Sequence, residues 1–168
     1  MARWTFVRHG ETRANAERWL SGWVDVGLTA IGREQAVHAG HALVGRSYQR
    51  FWVSDLLRAR QTAQSIGQVL GLEEGVWSVE PALRERTIGR REGASLDGLR
   101  ASGEMDRLLT WRGRTPGRES QRALVLRGVG CLAALGPHDP LCGPHWGGIW
   151  GLRGVRDRAA VGDNGGTG

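Results

Sequence analysis

The chain has 168 residues and a formal net charge of +6, with 40% apolar and 24% charged residues. This balance excludes a disordered polymer and suits one globular domain with a single sizeable core. No stretch reaches the roughly 18 consecutive apolar residues of a membrane-spanning helix. The apolar run in Met1–Val7 is too short for a secretory signal core, so a cytoplasmic location without a membrane partner is expected. Lysine is absent, and the arginines that supply the positive charge are spread along the chain. That spread argues against nucleic acid as a partner and leaves a field that would draw in an anion. Cys131 and Cys142 are the two cysteines. They form no Cys-x-x-Cys pair and no secreted-type framework, and Cys131 reads as a buried thiol.

In chain order, residues 3–7 predict a short buried strand ending at Arg8. Residues 8–27 read as irregular, and Thr29 as the N-cap of a helix running to about residue 44. Phe51-Trp52-Val53 predicts a second strand. Ser54 or Asp55 then caps a helix whose apolar positions Leu56, Ala59, Ala63, Ile66 and Leu70 step by three and four. Gly71 stops that helix. Val76 to Val79 predicts a third strand, residues 83–98 a loop, and residues 118–135 another helix ending at Gly136-Pro137. The alternation of strands and helices predicts an α/β class with a mostly parallel sheet. Ligands of such folds gather beyond the C-terminal strand ends, where Arg8-His9 and Ser54–Arg58 would share one mouth if the first two strands are neighbours. One domain is expected over residues 1–160, atypical over 141–160, with a disordered tail at 161–168.

Arg8-His9-Gly10 is the first chemical signal. No cysteine or carboxylate stands at metal-ligand spacing from His9, so no metal is expected there. A neutral imidazole is a nucleophile near pH 7. Arginine can hold phosphate oxygens by paired hydrogen bonds, and glycine lets backbone approach an anion. By itself the triplet also fits a histidine merely satisfied at a strand end. Arg58 could pair with a surface carboxylate, Glu85 with its arginine neighbours, and Glu119 with a helix dipole.

The longer pattern separates these readings. Arg8-His9-Gly10-Glu11-Thr12, Asn15, Ser21-Gly22-Trp23-Val24-Asp25-Val26 and Leu28-Thr29-x-x-Gly32 occur in order. They are followed by Ser54-Asp55-Leu56-x-Arg58-Ala59-x-Gln61-Thr62-Ala63, Leu83-Arg84-Glu85, Gly89, Glu92-Gly93 and Pro116-Gly117-Arg118-Glu119-Ser120. Together they resemble the histidine phosphatase superfamily, in its phosphoglycerate-mutase-like branch. The resemblance implies a three-layer α/β/α sandwich with a mostly parallel central sheet. It implies transfer through a phosphohistidine on His9, with no metal and no cofactor. Arg8, Asn15, Ser21, Gly22 and Arg58 would bind substrate or phosphate, Glu85 would donate the proton, and His145 would be the second histidine, with His138 in a Pro-His-Asp-Pro turn as the alternative.

Around His145 the sequence departs from that pattern, with Pro144 before it and Trp146 between it and Gly147-Gly148. Gly143-Pro144 stands where strand residues belong; a reading-frame slip near Leu141, partly recovered by Gly148, would account for it, and so would a truncated or degraded gene. The expected function is phosphomonoester hydrolysis on a small phosphorylated metabolite, by a monomer or homodimer. The alternatives are a cofactor-dependent phosphoglycerate mutase, a protein phosphohistidine phosphatase, and an impaired or non-catalytic phosphate-binding homologue.

Overall fold

The computed structural model describes residues 4–109, 117–136 and 140–143. Four strands form one sheet: β1 (Thr5–Phe6), β2 (Arg50–Val53), β3 (Trp77–Val79) and β4 (Pro140–Gly143). Their order is β1-β4-β2-β3, and every pairing is parallel. The first two strands are therefore not neighbours, because β4 lies between them in register Phe6↔Cys142 and Trp52↔Cys142. Local patterning could not show this, since the interposed strand comes more than sixty residues after β3 in the chain. Gly143 does not break β4. It is the last paired residue, and Pro140 is the first, where a missing N–H is tolerated. Residues 144–168, and His145 with them, lie outside the described residues, as does His138.

Helices follow the strands: α1 (Arg13–Ala16), α2 (Ala30–Leu43), α3 (Leu57–Leu70), α4 (Leu96–Ala101), α5 (Glu104–Leu109) and α6 (Gln121–Leu135). Successive β2 residues face opposite ways. Phe51 and Val53 meet Leu43 of α2 and Ala59, Ala63 and Ile66 of α3. Trp52 instead joins Leu83 with Cys131 and Leu135 of α6. Helical side chains thus cover both faces of the sheet. Thr29 caps α2 through its side chain, and Gly71 ends α3 with a left-handed φ of 66°, both as the sequence reads. Cys131 is buried, and burial pushes its thiol up to about 11.

Three local readings change. The span 8–27 contains α1, closed by a capping box between Thr12 and Asn15. The span 83–98 contains a 3-10 turn at Gly89–Arg91 and the start of α4. The cap of α3 comes from neither Ser54 nor Asp55. Asp25, far away in sequence, accepts the Leu57 N–H at 2.6 Å. A carboxylate here also meets the positive helix end.

Candidate active site

His9 follows β1 on a segment pressed against the start of α2. A Cβ on Gly10 would sit 2.0 Å from the Gly32 carbonyl oxygen, so only glycine permits this approach. The Gly10 N–H donates to the Thr62 hydroxyl at 3.2 Å, and that hydroxyl donates to the Arg58 carbonyl at 2.8 Å. Thr62 thereby ties the histidine segment to α3, one turn from Arg58.

The His9 ring has a defined tautomer. Its Nδ1 lies 2.7 Å from the Gly10 carbonyl oxygen. A carbonyl only accepts, so Nδ1 carries the proton and Nε2 carries the lone pair. Burial lowers the ring's pKa to about 4, with the charges of Arg58 and Arg8 adding to the effect and the Gly10 bond opposing it. A neutral imidazole under the charge of two guanidiniums is the result.

Arg58 is 1% exposed. It donates to the carbonyls of Gly22 at 2.8 Å and Val24 at 3.1 Å. Its Nε–H is buried without a hydrogen-bond partner among the described residues. Among the described residues no carboxylate pairs with it at ion-pair distance, so the surface-pair reading of Arg58 does not hold. Burial lowers its pKa, opposed by the charges of Glu85, Asp25 and Glu92. Arg8 is likewise lowered by burial, with Glu85 opposing. Arg8, His9, Arg58 and Glu85 therefore act on one another electrostatically although they come from separate segments.

Ser21 and Gly22 lie on the loop that Arg58 holds. Gly22 has a φ of +48°, and a Cβ there would meet the Glu92 carboxylate at 2.5 Å. Glu92 accepts the Trp23 N–H at 3.0 Å and the Thr87 hydroxyl at 3.0 Å, joining this loop to the segment that carries Glu85. Asn15 uses its Oδ1 on the N–H and hydroxyl of Thr12, inside the capping box.

Glu85 is half-buried, and its Oε1 accepts the Arg86 N–H at 2.8 Å. Its two arginine neighbours have further partners. Arg84 forms a bidentate pair with Asp55 and lies 4.7 Å from the centre of the Trp23 ring. Arg86 donates to the Leu108 carbonyl at 2.8 Å. Trp23 Nε1 donates to the Glu85 carbonyl at 2.7 Å. Glu119 pairs with Arg127 rather than only facing a helix dipole.

Sequence reasoning placed Asp25, Thr62, Glu92 and Glu119 inside motifs without assigning them these bonds. It passed over Arg127 altogether. The only available signal for Arg127 was its spacing of eight residues after Glu119, about two helical turns.

The arrangement of a neutral imidazole, two arginines and a carboxylate on segments that follow the C-terminal ends of β1, β2 and β3 suits anionic phosphoryl chemistry. The sequence profile of the histidine phosphatase superfamily (branch 1) matches residues 4–140. The chain belongs to that family. It is 42% identical over 104 residues to the fructose-2,6-bisphosphatase TIGAR of Xenopus laevis, covering 60% of this chain and 38% of that protein. It is 37% identical over 132 residues to the probable phosphoglycerate mutase GpmB of Salmonella choleraesuis, covering 76% of this chain and 60% of that one. Among solved structures, a mycobacterial glucosyl-3-phosphoglycerate phosphatase superposes with a TM-score of 0.78 at 28% identity, covering 92% of this chain and 78% of that one. The chain thus spans 38% and 60% of the lengths of these two curated relatives.

Proposed function

We propose that this chain is a phosphomonoesterase that acts on a small phosphorylated metabolite through a phosphohistidine on His9. The observation that carries the reading is the tautomer of His9, whose Nδ1–H bond to the Gly10 carbonyl leaves the lone pair on Nε2 of a neutral ring that feels the charges of Arg58 and Arg8. Nε2 attacks phosphorus, the N–P bond forms, and the P–O bond to the alcohol breaks. The Glu85 carboxyl gives its proton to the departing alkoxide. Water then attacks the phosphohistidine, returns a proton to Glu85 and releases inorganic phosphate as the N–P bond breaks. Arg8 and Arg58 offset the phosphoryl charge, and the unpartnered Arg58 Nε–H supports a buried oxyanion site. The motif resemblance assigns Asn15, Ser21 and Gly22 to substrate binding, and Arg58 ties Gly22 to this site through the Gly22 carbonyl. His145 follows β4, the strand between β1 and β2, by two residues, which supports its assignment as the second histidine. Phosphoglycerate mutase activity is the second reading, favoured by Ser21–Val26 and by the GpmB relative.

The test is turnover of p-nitrophenyl phosphate, and of 3-phosphoglycerate with 2,3-bisphosphoglycerate present, by the wild type and by His9→Ala. Hydrolysis with an acid-labile phosphoryl label that needs His9 is the expected result. Isomerisation of phosphoglycerate without net hydrolysis would establish the mutase. Absence of turnover and of label would leave a phosphate-binding homologue.

A further inference from the structure

Arg127 stands on α6, outside every motif that points to chemistry, yet its guanidinium is fully committed. One edge forms a bidentate pair with Glu119, Nε to Oε1 at 2.9 Å and Nη2 to Oε2 at 2.8 Å. The other edge turns to the segment that carries Glu85. Nη1 donates to the carbonyls of Ala82 at 2.6 Å and Arg84 at 3.0 Å, and Nη2 reaches the Glu85 carbonyl at 3.4 Å. Glu119 adds a backbone bond, its N–H donating to the Thr87 carbonyl at 3.2 Å. Residues 82–87 are thus laced to the start and second turn of α6. Trp23 Nε1 donates to the same Glu85 carbonyl at 2.7 Å. The side chains of Arg127 and Glu119 are 24% and 14% exposed, so water competes weakly for these bonds.

We infer that Arg127, oriented by Glu119, is the positioning residue for Glu85. This rests on the reading of Glu85 as proton donor. The regular structure of segment 82–85 among the described residues is the end of a 3-10 turn, Pro81–Leu83, so its path is set by bonds from other elements. A rigid planar fork with several donors can hold three carbonyls and one carboxylate at once, and an ammonium cannot. A proton donor displaced by about 1 Å loses on the order of 100-fold in rate. Arg127 touches no substrate in this scheme and acts only by fixing where the Glu85 carboxyl stands.

The experiment compares wild type, Glu119→Gln, Arg127→Lys and Glu85→Gln on p-nitrophenyl phosphate and on glycerol 2-phosphate. The nitrophenolate leaves without needing a proton, whereas the alkoxide needs one. General-acid help is worth roughly 10²–10⁴-fold. Glu85→Gln is therefore expected to lose that factor on the alkyl ester and little on the aryl ester. Glu119→Gln and Arg127→Lys are expected to show the same split in smaller measure, about 10- to 100-fold against less than about threefold. If Glu85→Gln shows no split, the proton-donor reading fails. If Glu85→Gln shows it while the other two variants lower both substrates equally, the positioning role is overturned. A readout independent of turnover is amide exchange at Arg86, whose N–H is held by the Glu85 carboxylate. Faster exchange there in Glu119→Gln, with the exchange of α2 and α3 unchanged, is expected. Unchanged exchange at Arg86 would overturn the inference.

Discussion

The Nδ1 atom of His9 donates its proton to the carbonyl oxygen of Gly10, its next neighbour in the chain, at 2.7 Å. That short local bond determines which nitrogen of the ring faces outward chemically. It depends on a backbone path that Gly10 alone permits, because Gly32 lies directly against it.

The ring of His9 is expected to titrate near 4 rather than at the usual 6.5, since burial and the charges of Arg58 and Arg8 disfavour its cation. Ring nitrogen NMR should give that midpoint with Nδ1 protonated in the neutral form. The same shift sets a pH dependence of stability. Between about 6.5 and about 4 the unfolded chain holds a proton on this ring that the folded chain lacks. Stability from this group is therefore complete above about pH 6.5 and declines as the pH falls towards about 4. A midpoint at the ordinary value would remove the basis for a neutral nucleophile.

Gly10→Ala should be among the most damaging single changes. Its methyl would lie 2.0 Å from the Gly32 carbonyl oxygen, where backbone rather than a flexible side chain must move. Overpacking of this kind costs about 1–3 kcal/mol and sometimes more. Urea unfolding of the variant should show a loss of at least that size, together with loss of phosphoester turnover. A variant as stable as wild type would show that the two segments can separate freely.

Arg58→Met keeps a long apolar stem but leaves the Gly22 and Val24 carbonyls without their donor. A buried acceptor left unsatisfied costs about 1–3 kcal/mol. The variant is expected to lose binding of inorganic phosphate or vanadate by more than about tenfold, since charge-assisted bonds contribute about 1.5–3 kcal/mol each. Calorimetric titration reads the second effect separately from the first. Phosphate affinity equal to wild type would exclude Arg58 from the oxyanion site.

Asp25→Ala removes the carboxylate that caps α3 at the Leu57 N–H. Loss of a helix N-cap costs about 1 kcal/mol. Asp25→Asn should retain most of that, because an amide oxygen also accepts. Thermal melts of the two variants should therefore separate, with Ala well below Asn. Coincident melts would mean that the Leu57 N–H is served by water instead.

Much of this protein is legible in its sequence. The helices α2 and α3 announce themselves through Thr29, Gly71 and the three-and-four spacing of Ala59, Ala63 and Ile66. These are signals carried within one or two turns of chain. His9, Arg58 and Glu85 are legible through an ordered series of short motifs, which matches the family found over residues 4–140. The tertiary structure decided what no local window contains. It placed β4, the last strand among the described residues, between β1 and β2. It assigned the cap of α3 to Asp25, committed Arg84 to Asp55, and set Arg127 and Glu119 beneath the backbone of Glu85. The reason is physical. Helix and turn preferences are set by near neighbours, whereas the partner of a buried arginine or an orphan N–H is whatever the packed fold brings within about 3 Å.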